Sequence, residues 1–195
     1  MNHIIVEDKL RDTNPVPVVI AFTPNYFIPA STCLYSIFAS LDTEEQMHVI
    51  CLLSEELPDR LKQKIQLIGG ERAQYSFINL QGRLQNIYID AKYTEVASYR
   101  LLLPDLLPEY DKVMYIDCDI IVRNNLVKLY RSVDLGNHYL AAVFEAPMDF
   151  QLGHLKVIGC HPDEYVNSGF LIMNLELMRR DNMVEKFIDA SKADY

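Results

Sequence analysis

Asp117 and Asp119, two carboxylates separated by a single cysteine, are the side chains best placed to do chemistry. Their spacing alone says little. The chain holds 15 aspartates in 195 residues, and a shuffled chain of that composition would carry about one such pair. The setting says more. Val113, Met114 and Ile116 precede the pair, and Ile120, Ile121 and Val122 follow it. This puts the carboxylates at the carboxyl end of an apolar strand. Charges there are costly to bury unless something compensates them. The carboxyl ends of parallel strands are also where open α/β sheets bind ligands. A hard divalent cation, Mg2+ or Mn2+, would compensate the charge, because such ions take oxygen ligands and bridge to substrate phosphates. The competing reading is a pair that caps a turn and the start of the next helix.

Strands and helices must position the pair, and the apolar pattern predicts them. Residues 18–22 (VVIAF) and 48–53 (HVICLL) are continuous apolar runs, as expected of strands buried on both faces. Between them, 28–41 predicts a helix with a thick apolar face. Ser54 is expected to cap a helix over 58–68, with Pro58 in its first turn and Gly69 just past its end. Residues 75–80 predict a third strand and 93–103 a helix, which Pro104 and Pro108 are expected to break. The strand carrying the aspartates spans 112–116. Further strands are expected over 139–144 and 170–174, and a last helix capped by Asp181 and running to 193. Strands alternating with helices predict an α/β, Rossmann-like domain with a mostly parallel sheet flanked by helices. A polar leader over 1–17 and one domain over 18–195 complete the expected organisation.

The seven glycines form neither a G-x-G-x-x-G fingerprint nor a P-loop, so another group must neutralise any bound phosphate. Half the residues are hydrophobic and 23% are charged, an ordinary globular balance. The net charge of -9 argues against a nucleic-acid partner, which calls for a basic footprint. An acidic chain can still bind a polyphosphate across a cation. The four cysteines form no C-x-x-C pair and are expected to be reduced and mostly buried. Residues 1–14 are charged, and no apolar run approaches the ~18 residues that span a bilayer. The expected location is the cytoplasm, with peripheral contact at the inner membrane face left open.

These blocks resemble family 8 retaining glycosyltransferases, a family that includes bacterial lipopolysaccharide galactosyl- and glucosyltransferases and the glycogenin relatives. Val19-Ile20-Ala21-Phe22 followed by Asn25-Tyr26 is similar to the family's opening strand and nucleotide-touching loop. Ser98-Tyr99-Arg100-Leu101 resembles its helix with a donor-reaching arginine. The run DKVMYIDCDIIV from Asp111 resembles its D-K-V-L-Y-L-D-x-D-x-x-V core. Asp134-Leu135-Gly136 and Tyr139-Leu140-Ala141-Ala142 follow in the family's order. The run NSGFLIMNL from Asn167 resembles F-N-[AS]-G-x-L-x-x-N-L.

The resemblance implies a GT-A type nucleotide-diphospho-sugar transferase fold. It implies retaining transfer of galactose or glucose from a UDP-sugar to a saccharide or lipooligosaccharide acceptor, in lipopolysaccharide or cell-surface glycan synthesis. Asp117 and Asp119 would ligate Mn2+ or Mg2+, with Cys118 bordering the donor between them. Arg100 and Asn167 would act on the donor sugar or diphosphate as the catalytic residues, and Gly169 would line the sugar site. Ala21, Thr23, Asn25 and Tyr26 would contact the uridine. From the residues alone, Arg100 could equally be an ion pair on a helix surface, and Asn167 a turn residue ahead of a strand.

The chain also departs from the family pattern. Members often carry an aspartate against the uracil edge where this chain has Thr23, whose hydroxyl offers one hydrogen bond. No later D-Q-D-type segment follows, nor a histidine in a segment like H-[YF]-x-G-x-x-K-P-W. His154 and His161 precede the asparagine block and are expected to be solvated. The expectation for these 195 residues alone is weak metal-nucleotide binding and little or no transfer. A non-catalytic nucleotide-sugar-binding remnant therefore stands as the alternative. Phosphatases of the haloacid-dehalogenase type also carry D-x-D at a strand end. Their motif opens the domain and precedes a small loop residue, whereas here at least four elements come first and Ile120-Ile121 follow.

Overall fold

A computed structural model of the protein describes residues 14–84, 95–157 and 159–192. Strands β1 (Val16–Phe22), β2 (Met47–Leu53), β3 (Ala73–Asn79), β4 (Lys112–Asp117), β5 (Leu140–Phe144) and β6 (Val166–Asn174) form one sheet. Their order across it is β3-β2-β1-β4-β6-β5. β1 pairs in parallel with β2 and with β4, and β2 pairs in parallel with β3. β6 runs antiparallel to both β4 and β5. Five strands thus share one direction, giving the mostly parallel α/β sheet that the sequence predicts.

Every residue of β1 is buried, because parallel strands at the centre of a sheet are covered on both faces. Alternation along the strand sends successive side chains to opposite cores. Val18 and Ile20 join Leu34, Ile37, Met114 and Ile116 on one face. Val19 and Ala21 join Tyr99, Leu103, Tyr115 and Leu171 on the other.

Helix α1 (Phe27–Ala39) covers the first face with Ala30, Cys33, Leu34, Ile37 and Phe38, a stripe at helical spacing. Helix α2 (Asp59–Gln66) buries Ile65, and Gly69 beyond it takes the left-handed conformation at φ +83°. A Cβ at Gly69 would also stand 2.7 Å from the Phe38 ring, so the position needs glycine on both counts. Helices α3 (Glu95–Ser98) and α4 (Leu103–Leu106), joined by a 3-10 turn over Tyr99–Leu102, cover the second face. Helices α5 (Leu126–Ser132), α6 (Asp149–Val157), α7 (Leu175–Arg180) and α8 (Met183–Lys192) follow among the described residues.

Several local expectations change. Pro104 does not break the helical segment. It occupies the first turn of α4, where a missing N–H costs no hydrogen bond. Ser54 caps nothing: Pro58 holds the N-cap position of α2, with no side-chain cap bond. Asp181 ends α7 instead of starting the last helix, and its carboxylate accepts from the Tyr139 hydroxyl at 2.7 Å. Asn174 closes β6 and caps α7, accepting from the Leu177 N–H at 2.9 Å. The expected leader lies mostly outside the described residues, and of its last residues Val16 and Pro17 already belong to β1. Residues 93 and 94 of the predicted helix, and residue 193 of the last one, also lie outside them. No helix among the described residues is long and apolar enough to cross a membrane. All four cysteines are free thiols, and Cys33, Cys51 and Cys118 are buried.

Candidate functional site

After β1 the chain builds outward through β2 and β3, then returns to place β4 on the other side of β1. A ligand crevice opens where the strand order reverses, at the carboxyl ends of the two strands. Ala21 and Asp117 face each other there as Cα partners. The Asp117 carbonyl accepts from the Ile120 N–H at 3.4 Å, turning the chain over Cys118 and Asp119 as soon as the strand ends. The next helix, α5, is capped by Asn125, so the aspartate pair does not serve as its cap.

A cleft of about 190 Å³ opens at this point, and Ala21, Thr23, Tyr26, Asp117, Cys118 and Asp119 all line it. Val96, Ala97 and Tyr115 add to its wall. Six of the residues predicted from sequence thus meet around one space. Asn25 sits exposed in the 3-10 turn over Pro24–Tyr26 and does not line the cleft.

Arg100 is buried, which removes the reading of a surface ion pair. Its Nε donates to the Ala97 carbonyl at 2.5 Å, and its Nη1 donates to the Ser168 carbonyl. Its Nη2 lies 3.7 Å from the Asp117 Oδ1. The guanidinium stands 4.6 Å from the centre of the Tyr115 ring, in cation–π range. Tyr115 also donates its hydroxyl to the Asp117 Oδ1 at 3.0 Å.

β6 brings in the remaining residues. A Cβ at Gly169 would stand 2.6 Å from the Asp117 Oδ2, so only glycine lets β6 come this close to the carboxylate. The Gly169 N–H donates to the Asn167 Oδ1 at 2.9 Å, and the Asn167 Nδ2 donates to the Glu145 Oε2 at 3.2 Å. Asn167 lies within β6 with its side chain exposed. His161, exposed, accepts from the Asp163 N–H at 3.3 Å and stays outside this cluster.

The donor chemistry suits a hard cation. Two carboxylates, Asp117 and Asp119, border the cleft; they would hold Mg2+ or Mn2+, ions that prefer oxygen ligands and can take water and substrate phosphate alongside a few carboxylates. Among the described residues no group of three or more His, Cys, Asp or Glu could hold a metal by itself. The neighbouring sulfurs are poor alternatives. Burial, then the charges of Asp119 and Asp117, pushes the Cys118 thiol up to about 11. Burial, with Cys118 and Asp119, pushes Cys33 up to about 12. Thiolates are also soft ligands that suit Zn or Cu(I), whereas Mg2+ and Mn2+ take oxygen.

Sequence reasoning missed Tyr115, Glu145 and the α3 wall. Tyr115 was findable: residues two apart on a strand share a face, so it stands beside Asp117. Glu145 is 22 residues from Asn167, and nothing local marks their contact.

The sequence profile described as Glycosyl transferase family 8 matches residues 17–194. General stress protein A of Bacillus subtilis (strain 168) is 24% identical over 183 residues, covering 92% of this chain and 63% of that protein. The chain spans less than two thirds of the length of the curated relatives it matches. Among solved structures, the apo bifunctional glycosyltransferase WbbM aligns at a TM-score of 0.78 and 25% identity, over 92% of this chain and 35% of that one. The galactosyltransferase LgtC, in complex with donor and acceptor sugar analogs, aligns at a TM-score of 0.73 and 25% identity. That alignment covers 92% of this chain and 67% of LgtC.

Proposed function

The chain belongs to glycosyl transferase family 8 and has a GT-A type fold; from that premise we propose that it binds a UDP-hexose at the β1–β4 cleft as the donor half of a retaining hexosyltransferase. The observation that carries this reading is the cleft itself: Asp117 and Asp119 line one space with Ala21, Thr23 and Tyr26, while Arg100 stands beside Asp117.

In this reading Asp117 and Asp119 hold Mn2+ or Mg2+, which when bound neutralises the diphosphate and eases departure of UDP. Thr23 and Tyr26 receive the uridine at the end of β1, with Asn25 in the same turn. Arg100, anchored by two carbonyls, holds a fixed positive charge toward the diphosphate, where a preorganised donor is most effective. Asn167 and Gly169 border the sugar, Asn167 being oriented by Glu145. The hexose is galactose or glucose. The acceptor is a saccharide or lipooligosaccharide, which places the reaction in lipopolysaccharide or cell-surface glycan synthesis. That setting is cytoplasmic, at the inner membrane face. LgtC, a galactosyltransferase solved with donor and acceptor sugar analogs, supports the donor class.

Isothermal titration of UDP with and without Mn2+ tests the reading. The expected result is metal-dependent binding that disappears in Asp119→Ala. Absence of binding at millimolar UDP, or equal binding without metal, would overturn it.

A further inference from the structure

Asp117 has two carboxylate oxygens in different surroundings. Oδ1 accepts from the Tyr115 hydroxyl at 3.0 Å and lies 3.7 Å from the Arg100 Nη2. Oδ2 points at Gly169, where the missing Cβ leaves room. The two oxygens thus have different neighbours: Tyr115 and Arg100 at Oδ1, and Gly169 at Oδ2. The Tyr115 ring also carries the Arg100 guanidinium at 4.6 Å. Tyr115 is itself 1% exposed and sits in the second core with Val113 and Leu171, so its own orientation is fixed by packing.

We infer that Tyr115 is a positioning residue that sets the cation site and the anion site together: its hydroxyl occupies Asp117 Oδ1, leaving Oδ2 for the metal, while its ring aims Arg100. The inference rests on the proposed donor site. The physical reasons are separable. A carboxylate free to rotate about its terminal torsion presents either oxygen, and a hydrogen bond to one of them removes that freedom. A guanidinium loses less entropy on binding an anion when its plane is already held against a ring. Tyr115 need not touch the substrate for either effect.

Two variants separate the two roles. Tyr115→Phe keeps the ring and removes the hydroxyl, while Tyr115→Leu removes both. Titrations of the full chain with Mn2+ in the presence of UDP, followed by electron paramagnetic resonance of free Mn2+, read the cation site. Loss of an outer-shell partner typically lowers metal affinity by ~10–100-fold, and at least about tenfold is expected in both variants. Hydrogen exchange of the Arg100 side-chain Nε–H, followed by NMR, reads the guanidinium without any ligand. Protection is expected in the wild type and in Tyr115→Phe, and its loss in Tyr115→Leu. A urea midpoint for Tyr115→Phe close to the wild type excludes general unfolding as the cause.

Wild-type Mn2+ affinity in Tyr115→Phe overturns the inference while leaving the donor site standing. Equal Arg100 exchange in all three proteins overturns the ring's part in it. If the wild type binds no Mn2+–UDP, the donor-site reading fails, and the exchange experiment still decides whether Tyr115 holds Arg100.

Discussion

At the residue scale, the demand on position 169 comes from a neighbour. The Gly169 φ is not in the left-handed region, so its backbone accepts any residue, but a Cβ would meet the Asp117 Oδ2 at 2.6 Å. Gly169→Ala is expected to push the carboxylate aside. Overpacking of this kind costs about 1–3 kcal/mol, and urea denaturation reads it. Mn2+-dependent UDP binding should fall by more than that stability change accounts for, because the displaced oxygen is the one left for the cation. Unchanged UDP binding in a folded Gly169→Ala protein would show that Oδ2 does not face the ligand.

At the element scale, His48 joins three segments. From β2 its Nε2 bonds the Ser76 hydroxyl on β3 at 2.8 Å, and its Nδ1 bonds the Tyr110 hydroxyl just ahead of β4. Burial holds the His48 pKa below the ordinary 6.5, with the Glu109 charge opposing part of that effect. The unfolded chain therefore takes up the proton first as pH falls. The stabilisation from neutral His48 is complete above about pH 6.5 and is lost as pH drops toward the folded pKa. The urea midpoint should fall between about pH 7.5 and about pH 5.5. His48→Gln, which can still bond both hydroxyls, should flatten that dependence. A mutant profile as steep as the wild type would place the responsible group elsewhere.

Across the whole molecule, one sheet separates two cores, and β1 supplies both. Ile20 is fully buried in the first core, against α1 and β4. Ile20→Ala is expected to cost about 2–5 kcal/mol, a large part of the roughly 5–15 kcal/mol of a typical domain. Because β1 joins the cores, unfolding should remain a single transition when followed by circular dichroism and by tyrosine fluorescence. Separate transitions for the two probes would mean that the cores melt independently. A loss below about 1 kcal/mol would mean that the site collapses to fill the space.

What was legible follows from the range of each interaction. The apolar runs of β1, β2 and β4, the stripe of α1 and the glycine after α2 depend on periodicity and backbone preference within a few residues. The sequence therefore determined these elements, and with them the class of fold. The same local logic placed Asp117 and Asp119 at a strand end, and the motif blocks carried the family. Caps were less legible. Ser54 and Asp181 are good capping residues, but where a helix starts depends on how the chain packs back on the sheet. Only the tertiary structure decided that β6 runs antiparallel beside β4, bringing Gly169 against Asp117 across 52 positions of sequence. It alone buried Arg100 against Tyr115 and tied it to the Ser168 carbonyl, 68 residues away. Charges gain this much from one another only once packing has removed water from between them, and no local pattern encodes where that happens.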